Sequence, residues 1–569
     1  MSATTKDARD RALAEGRNGG LDRTYLVEAG AGTGKTRVLV TRFLALLREG
    51  RDISRIVAIT FTEKAAGELK VRLRTALEEA VRRGESALSE PLLHVDRAVI
   101  GTIHSFCGTL LRESPVEARV DPNFAVADGL ARTLLVSRAW DAWLEEELSA
   151  GLPPALGEAR TLGFTLERAR ELADLLAANR DLIGQVPGPR DAGADGDTDA
   201  FAALLEREAS EFVRLAREHC ESDTDGGLRA ILDFADAVSA ASYLTGPART
   251  SYLLKRVRPA PGPKQGNKAN WDAAVLASLR ERAAALRARQ EELAAIASHN
   301  AAVALVAWLR GFVEHYEAEK IRAGMLDFDD LLLKARALLR DDLAARERWK
   351  AAYERILVDE FQDTDPLQCE VVFFLSEVKG GRAREWHEVE IEPGKLFIVG
   401  DPKQSIYRFR RADIEMYERA KSVAGGLLHL TENFRTRPAI VAEVNAAFDG
   451  VMAPPEDGRK YQPAYESLSA ARADTDAAPG VVLLMPPGGA PQGESVEEVR
   501  VEEARAVAVF LAEARDGGSL RVWDRGKDAW RPAGLGDMAV LFRRTAALEA
   551  YEDALSAYDL EFRVAGGRR

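Results

Sequence analysis

Short runs that are apolar at every position alternate with stretches of helical period over the first 120 residues. Tyr25-Leu26-Val27, Ile56-Val57-Ala58-Ile59 and Ala98-Val99-Ile100 read as strands, and the amphipathic segments between them as helices. Such alternation predicts a parallel sheet of an α/β domain. From about Asp121 the texture changes to Ala, Leu, Arg and Glu at helical spacing, broken at Pro187-Gly188-Pro189 and Pro259-Ala260-Pro261-Gly262-Pro263. This predicts a helical insertion over 121–319. Strands return at Ile356-Leu357-Val358 and Leu396-Phe397-Ile398-Val399, so the first domain is expected to comprise 1–120 and 320–425. Leu427-Leu428-His429-Leu430, a helix from Pro438, and strands at Val481-Val482-Leu483-Leu484 and Met538-Ala539-Val540-Leu541-Phe542 predict a second, partial α/β domain over 426–569.

A chain of 569 residues is too long for one hydrophobic core, and 46% hydrophobic with 30% charged residues is the balance of a folded globular protein. No run approaches the roughly 20 apolar residues that span a bilayer, and Met1 to Asp7 lacks an apolar signal core, so no membrane partner and a cytoplasmic location are expected. Three cysteines, Cys107, Cys220 and Cys369, provide neither a disulfide framework nor a four-thiolate metal site. The net charge of -13 does not exclude a nucleic-acid partner, because a phosphate feels the local patch within about 10 Å. Lys255, Arg256, Arg258, Lys264 and Lys268 flank the second Pro-rich segment and are expected on a flexible surface loop.

Candidate chemistry begins at Ala29-Gly30-Ala31-Gly32-Thr33-Gly34-Lys35-Thr36-Arg37, which follows a strand and opens a helix through Val38, Leu39, Phe43 and Leu47. Glycines there let backbone amides close around phosphates, Lys35 supplies a point charge for the β and γ phosphates, and the Thr36 hydroxyl suits Mg2+. Ala29 stands where the pattern has its first glycine; a small residue suffices. A second half is visible at Arg355-Ile356-Leu357-Val358-Asp359-Glu360, an apolar strand ending in two carboxylates. Asp359 is the expected metal holder and Glu360 the group that orients and deprotonates water. ATP and Mg2+ are the cofactors this pair of segments calls for.

The segment Asp359-Glu360-Phe361-Gln362-Asp363-Thr364-Asp365 resembles motif II of the UvrD/RecB group of superfamily 1 DNA helicases. Four others agree in order: Ala58 to Ala66 is similar to motif Ia, Gly101 to Cys107 to motif Ib, Val399 to Arg410 to motif III, and Glu432 to Pro438 to motif IV. Pro402-Lys403 and Leu326-Asp327-Phe328-Asp329-Asp330-Leu331 look more like the RecB/AddA branch than the stand-alone UvrD repair branch. The resemblance implies RecA-like motor domains, ATP-dependent translocation on single-stranded DNA or from duplex ends with 3′ to 5′ polarity, and a role in recombination or double-strand-break repair. A nuclease/helicase partner of a RecBCD/AddAB-like complex is implied as well. Residue by residue, it implies that Gln404 senses the γ-phosphate, Arg435 acts as an arginine finger and Phe434 stacks on the nucleotide base. Phe61 and Phe409 would stack on DNA bases, Thr102, His104 and Arg410 would meet the DNA backbone, and Tyr407 would be a further DNA contact.

Two departures qualify the resemblance. Met1 to Leu26 contains no glutamine of the kind that recognises adenine in the family, and nothing resembling motifs V and VI is found. Phe562 to Arg569 resembles the border at which such helicases leave the second motor domain. The chain is therefore expected to be the front portion of a typical member, able to bind nucleotide and DNA but not to unwind duplex alone.

Overall fold

The computed structural model describes residues 20–190, 198–424, 426–453, 455–456, 458, 462–472, 480–484, 495–518, 520–524, 526–527 and 529–565. The Met1–Asp7 segment and Gly566–Arg569, on which two sequence expectations rest, lie outside them. The chain divides into two units, Met1–Phe106 with Arg336–Arg569, and Cys107–Ala335.

In the first unit the apolar runs become β1 (Tyr25–Ala29), β2 (Ile56–Thr60), β3 (Val99–Thr102), β4 (Arg355–Val358), β5 (Leu396–Gly400) and β6 (Leu427–Leu430). They form one sheet in the order β3-β2-β4-β5-β1-β6, parallel throughout, with Val27 opposite Val399 and Ala58 opposite Leu357. Parallel strands require crossovers, and helices Lys35–Arg48, between β1 and β2, and Glu63–Arg82, between the neighbours β2 and β3, supply two of them. Val38, Leu39, Phe43 and Leu47 from the first, with Leu69, Leu73 and Leu77 from the second, pack on Val27, Ala58, Leu357 and Val399. Thr62 starts the second helix by accepting from the Ala65 N–H at 3.1 Å.

Three expectations change here. Leu427–Leu430 does not open a second sheet: it adds to β1 of the first, because Leu428 and Leu430 point into the same buried core. Val481–Leu484 and Met538–Phe542 form no strand, since no described segment pairs with them and Leu483 and Leu541 are 80% and 92% exposed. Instead, the later part of this unit contains β7 (Glu432–Asn433) parallel to β8 (Ser469–Ala470), and a hairpin of Arg521–Asp524 with Ala529–Pro532 that sets Trp523 opposite Trp530. Helices Val496–Gly517 and Leu548–Ala557 share a small core at Ala508 and Leu555.

The second unit is built on one 50-residue helix, Ala273–Arg322, started by Asp272. Its first half packs Leu276, Leu279, Leu286 and Leu293 with Phe201, Phe212, Ile231 and Phe234. Its last part packs Leu305, Leu309, Phe312 and Tyr316 with Val136, Trp140, Trp143 and Leu176. This helix is long and apolar enough to cross a membrane by length and composition; 22% of its apolar window is buried, and the leucines and aromatics just named pack into the two cores. The unit extends beyond 121–319 at both ends, and Ala125–Val126 pairs with Met325–Leu326 to join them.

The segment around Pro259 to Pro263 is not a free loop. Val257, Ala260 and Trp271 are in the core, Arg287 donates to the Pro259 carbonyl, and buried Asp225 accepts from Asn267 N–H, Asn270 Nδ2 and Trp271 Nε1. Toward the other end of the long helix, Arg180 and Lys320 share the buried carboxylates of Asp327 and Asp330 at 2.5 to 3.1 Å.

Candidate functional site

Motifs converge where strands of a parallel sheet end, the crevice in which such folds present ligand-binding loops. β1 runs directly into Gly30–Gly34, where Gly32 and Gly34 take φ of 74° and 90°, a region open to glycine at little cost. The Thr33 hydroxyl donates to the Gly30 carbonyl at 2.8 Å and closes the turn. Helix Lys35–Arg48 then begins with no side-chain cap, so its first-turn amides are left to meet an anion, with Lys35, Thr36 and Arg37 at that end.

The end of β4 brings the acidic pair to this loop. Lys35 Nζ lies 2.5 Å from Glu360 Oε2. Glu360 has φ of 51°, a left-handed conformation uncommon for a side chain of this size, and its N–H donates to Asp359 Oδ1 at 3.0 Å. Burial, with Glu360 beside it, pushes the Asp359 carboxyl up to about 6. A half-buried carboxyl pushed up by a neighbouring carboxylate is the environment a divalent cation would relieve, and Asp359 with Thr36 could hold one.

Sequence reasoning passed over Gln362 and Asp401, which connect this pair to Gln404. Gln362 Nε2 donates to Glu360 Oε2 at 2.8 Å while its Oε1 accepts from the Asp401 N–H at 2.8 Å. Asp401 Oδ2 in turn accepts from Gln404 Nε2 at 2.7 Å. The signal available was the dual character of an amide two positions after the acidic pair. Motif IV also reaches the loop: Phe434 N–H donates to the Gly32 carbonyl at 2.9 Å, which sets Phe434 and Arg435 beside it.

A second cluster is aromatic. Phe61, at the end of β2, lies 4.8 Å from Tyr407 between ring centroids, and Tyr407 lies 5.7 Å from Phe409. The Arg410 guanidinium sits 5.4 Å from the Tyr407 ring and 5.9 Å from that of Phe409, which is 78% exposed. Thr102 and His104 do not join this cluster through any described bond. Thr102 Oγ1 donates to Glu63 at 2.7 Å, and burial holds the His104 imidazole below its ordinary range.

Sheet order, glycine loop and acidic strand end define a phosphate-loop α/β protein of RecA-like type with a helical insertion. The profile of the UvrD/REP helicase N-terminal domain matches residues 17–424, and the chain belongs to that family. It is 25% identical to the AddA chain of the ATP-dependent helicase/nuclease of Listeria welshimeri, covering 94% of this chain and 47% of that protein. The corresponding protein of Carboxydothermus hydrogenoformans is 29% identical, over 91% of this chain and 47% of its own length, and that of Bacillus cereus 27%, over 92% and 46%. The chain spans about half the length of the curated relatives it matches.

Proposed function

We propose that this chain is the nucleotide-binding front portion of an ATP-dependent DNA translocase of the AddA helicase/nuclease kind, serving recombination or double-strand-break repair in the cytoplasm. The observation that carries the reading is the 2.5 Å meeting of Lys35 and Glu360 beyond the carboxyl ends of interior strands, with Gln362 and Asp401 linking Glu360 to Gln404. In this reading the loop amides of 30–36, Lys35 and Arg37 hold ATP. Thr36 and Asp359 hold Mg2+, which when bound neutralises developing phosphate charge. Glu360 takes the proton of the attacking water, Gln404 responds to the γ-phosphate and Arg435 stabilises the transferred group, while Phe434 stacks on the base.

Phe61, Tyr407 and Phe409 would carry single-stranded DNA by stacking, with Arg410, Thr102 and His104 on the backbone and 3′ to 5′ polarity. Hydrolysis reaches them through the segment 401–410, which holds Gln404 at one end and the aromatic pair at the other. Residues 1–106 with 336–430 would form the first motor domain, 107–335 the insertion, and the remainder the beginning of a second motor domain. Its partner would be the other member of an AddAB-like complex. The test is ATP hydrolysis with and without single-stranded DNA: stimulation lost in Lys35→Ala and Glu360→Gln supports the motor. Nucleotide binding without DNA-stimulated turnover in the unaltered chain overturns it in favour of a binding module.

A further inference from the structure

A phosphate-binding loop turns its amides toward the ligand, which leaves its carbonyls facing outward and in need of donors. Here two successive carbonyls take donors from the same distant segment. Asn433 Nδ2 donates to the Ala31 carbonyl at 2.8 Å across 402 positions, and Phe434 N–H to the Gly32 carbonyl at 2.9 Å. The other end of the same carboxamide faces Arg435: Asn433 Oδ1 accepts from the N–H groups of Arg435 and Thr436, both at 2.8 Å.

Nothing in this arrangement has slack. Asn433 is 3% exposed, its own carbonyl accepts from Ala471 N–H at 2.8 Å, and β7 is paired with β8. A Cβ on Gly32 would stand 2.8 Å from both Nδ2 and Oδ1 and 2.9 Å from the Arg435 Cβ. Arg472 Nε donates to the Phe434 carbonyl at 3.0 Å and holds the following residue as well.

We infer that Asn433 is the positioning residue that ties the backbone of Arg435 to the phosphate loop, so that filling of the loop by nucleotide is passed to Arg435 through one carboxamide. The inference rests on the nucleotide-hydrolysing reading above. Only a carboxamide serves both ends, since it donates at one atom and accepts two N–H groups at the other. An aspartate keeps the acceptor side, and with it the 433–436 turn, but sets an oxygen against the Ala31 carbonyl. Asn433→Asp therefore cuts the link while sparing the turn, whereas Asn433→Ala removes both.

The experiment compares the unaltered chain with Asn433→Asp, Asn433→Ala, Arg435→Ala and the Asn433→Asp/Arg435→Ala double variant. Affinities are measured for Mg-ADP alone and with aluminium fluoride, a mimic of the phosphoryl group in transfer. Mg-ADP affinity of Asn433→Asp should stay within about threefold of the unaltered chain while the gain from aluminium fluoride falls about tenfold or more, with no further loss once Arg435 is alanine. Amide exchange over 431–437 should slow on adding Mg-ADP to the unaltered chain and not to Asn433→Asp. Losses that multiply in the double variant, or an exchange response that survives Asn433→Asp, overturn the inference. If Asn433→Ala fails to fold, Asn433→Asp alone decides. Failure of the unaltered chain to bind Mg-ADP overturns the nucleotide reading itself. Binding without any gain from aluminium fluoride overturns its hydrolytic part, and the exchange response then decides the role of Asn433.

Discussion

The Lys35 ammonium and the Glu360 carboxylate, 325 positions apart in sequence, meet at 2.5 Å with side chains 12% and 34% exposed. Phosphates entering the loop must draw Lys35 from this partner. A neutral glutamine at 360 releases that competition. Glu360→Gln is expected to bind Mg-ADP about two- to tenfold more tightly, and Lys35→Ala at least about 100-fold more weakly, a direct charge to phosphate contact being worth several kcal/mol when partly buried. Titration calorimetry checks both, and weaker binding by Glu360→Gln would contradict the competition.

Asp359 gives a pH signature. Its folded value of about 6 lies above the ordinary 3.8, so the fold disfavours its charged form. The penalty is absent below the ordinary value, grows as pH rises through the interval and is complete above about 6. In metal-free buffer, Asp359→Asn should therefore stabilise the chain more at pH 7.5 than at pH 4, by on the order of 1 to 3 kcal/mol. Thermal melting at the two pH values reads this, and an equal shift at both would remove the assigned cause.

Stacking and charge separate at the aromatic cluster. Phe409→Ala is expected to weaken single-stranded DNA binding by about 1 to 3 kcal/mol with an unchanged salt slope. Arg410→Ala should lower the slope of log K against log salt by about 0.7, the single-strand value for one phosphate contact. Fluorescence anisotropy across a salt series distinguishes them.

The Arg180, Lys320, Asp327 and Asp330 cluster is buried and every member is paired. Asp330→Ala leaves cations without a partner in the interior and is expected to cost about 3 to 5 kcal/mol of stability. Denaturant unfolding monitored at the tryptophans should register it; an unchanged midpoint would show that the cluster contributes nothing.

The parallel strands and both halves of the phosphate site were legible because their signals are local. Lys35 stands in a glycine-spaced turn, and Asp359 and Glu360 end an apolar run. Asn433 and Gln362 escaped because their importance lies in main-chain bonds to Ala31 and Asp401, which no periodicity encodes. Val481–Leu484 and Met538–Phe542 misled for a related reason: an apolar run states a preference for pairing, and pairing depends on a neighbour. The Pro259 segment was read as loose from its composition, whereas a single carboxylate, Asp225, organises its surroundings.

Helix Ala273–Arg322 extends about 75 Å at 1.5 Å per residue, and between Leu293 and Ala301 none of its side chains is fully enclosed. Its waist is held by polar bonds, His299 to the Gly188 carbonyl and Asn300 to the backbone of Arg190, while Ser251 Oγ donates to the Thr161 carbonyl and joins the two lobes directly. The rod is thus an axle whose two wheels are also pinned to each other, Lys255 donating to the Leu162 carbonyl beside the Ser251 bond. Inserting about four residues at the waist, close to one turn, would lengthen the span between lobes and draw Ser251 and Lys255 away from Thr161 and Leu162.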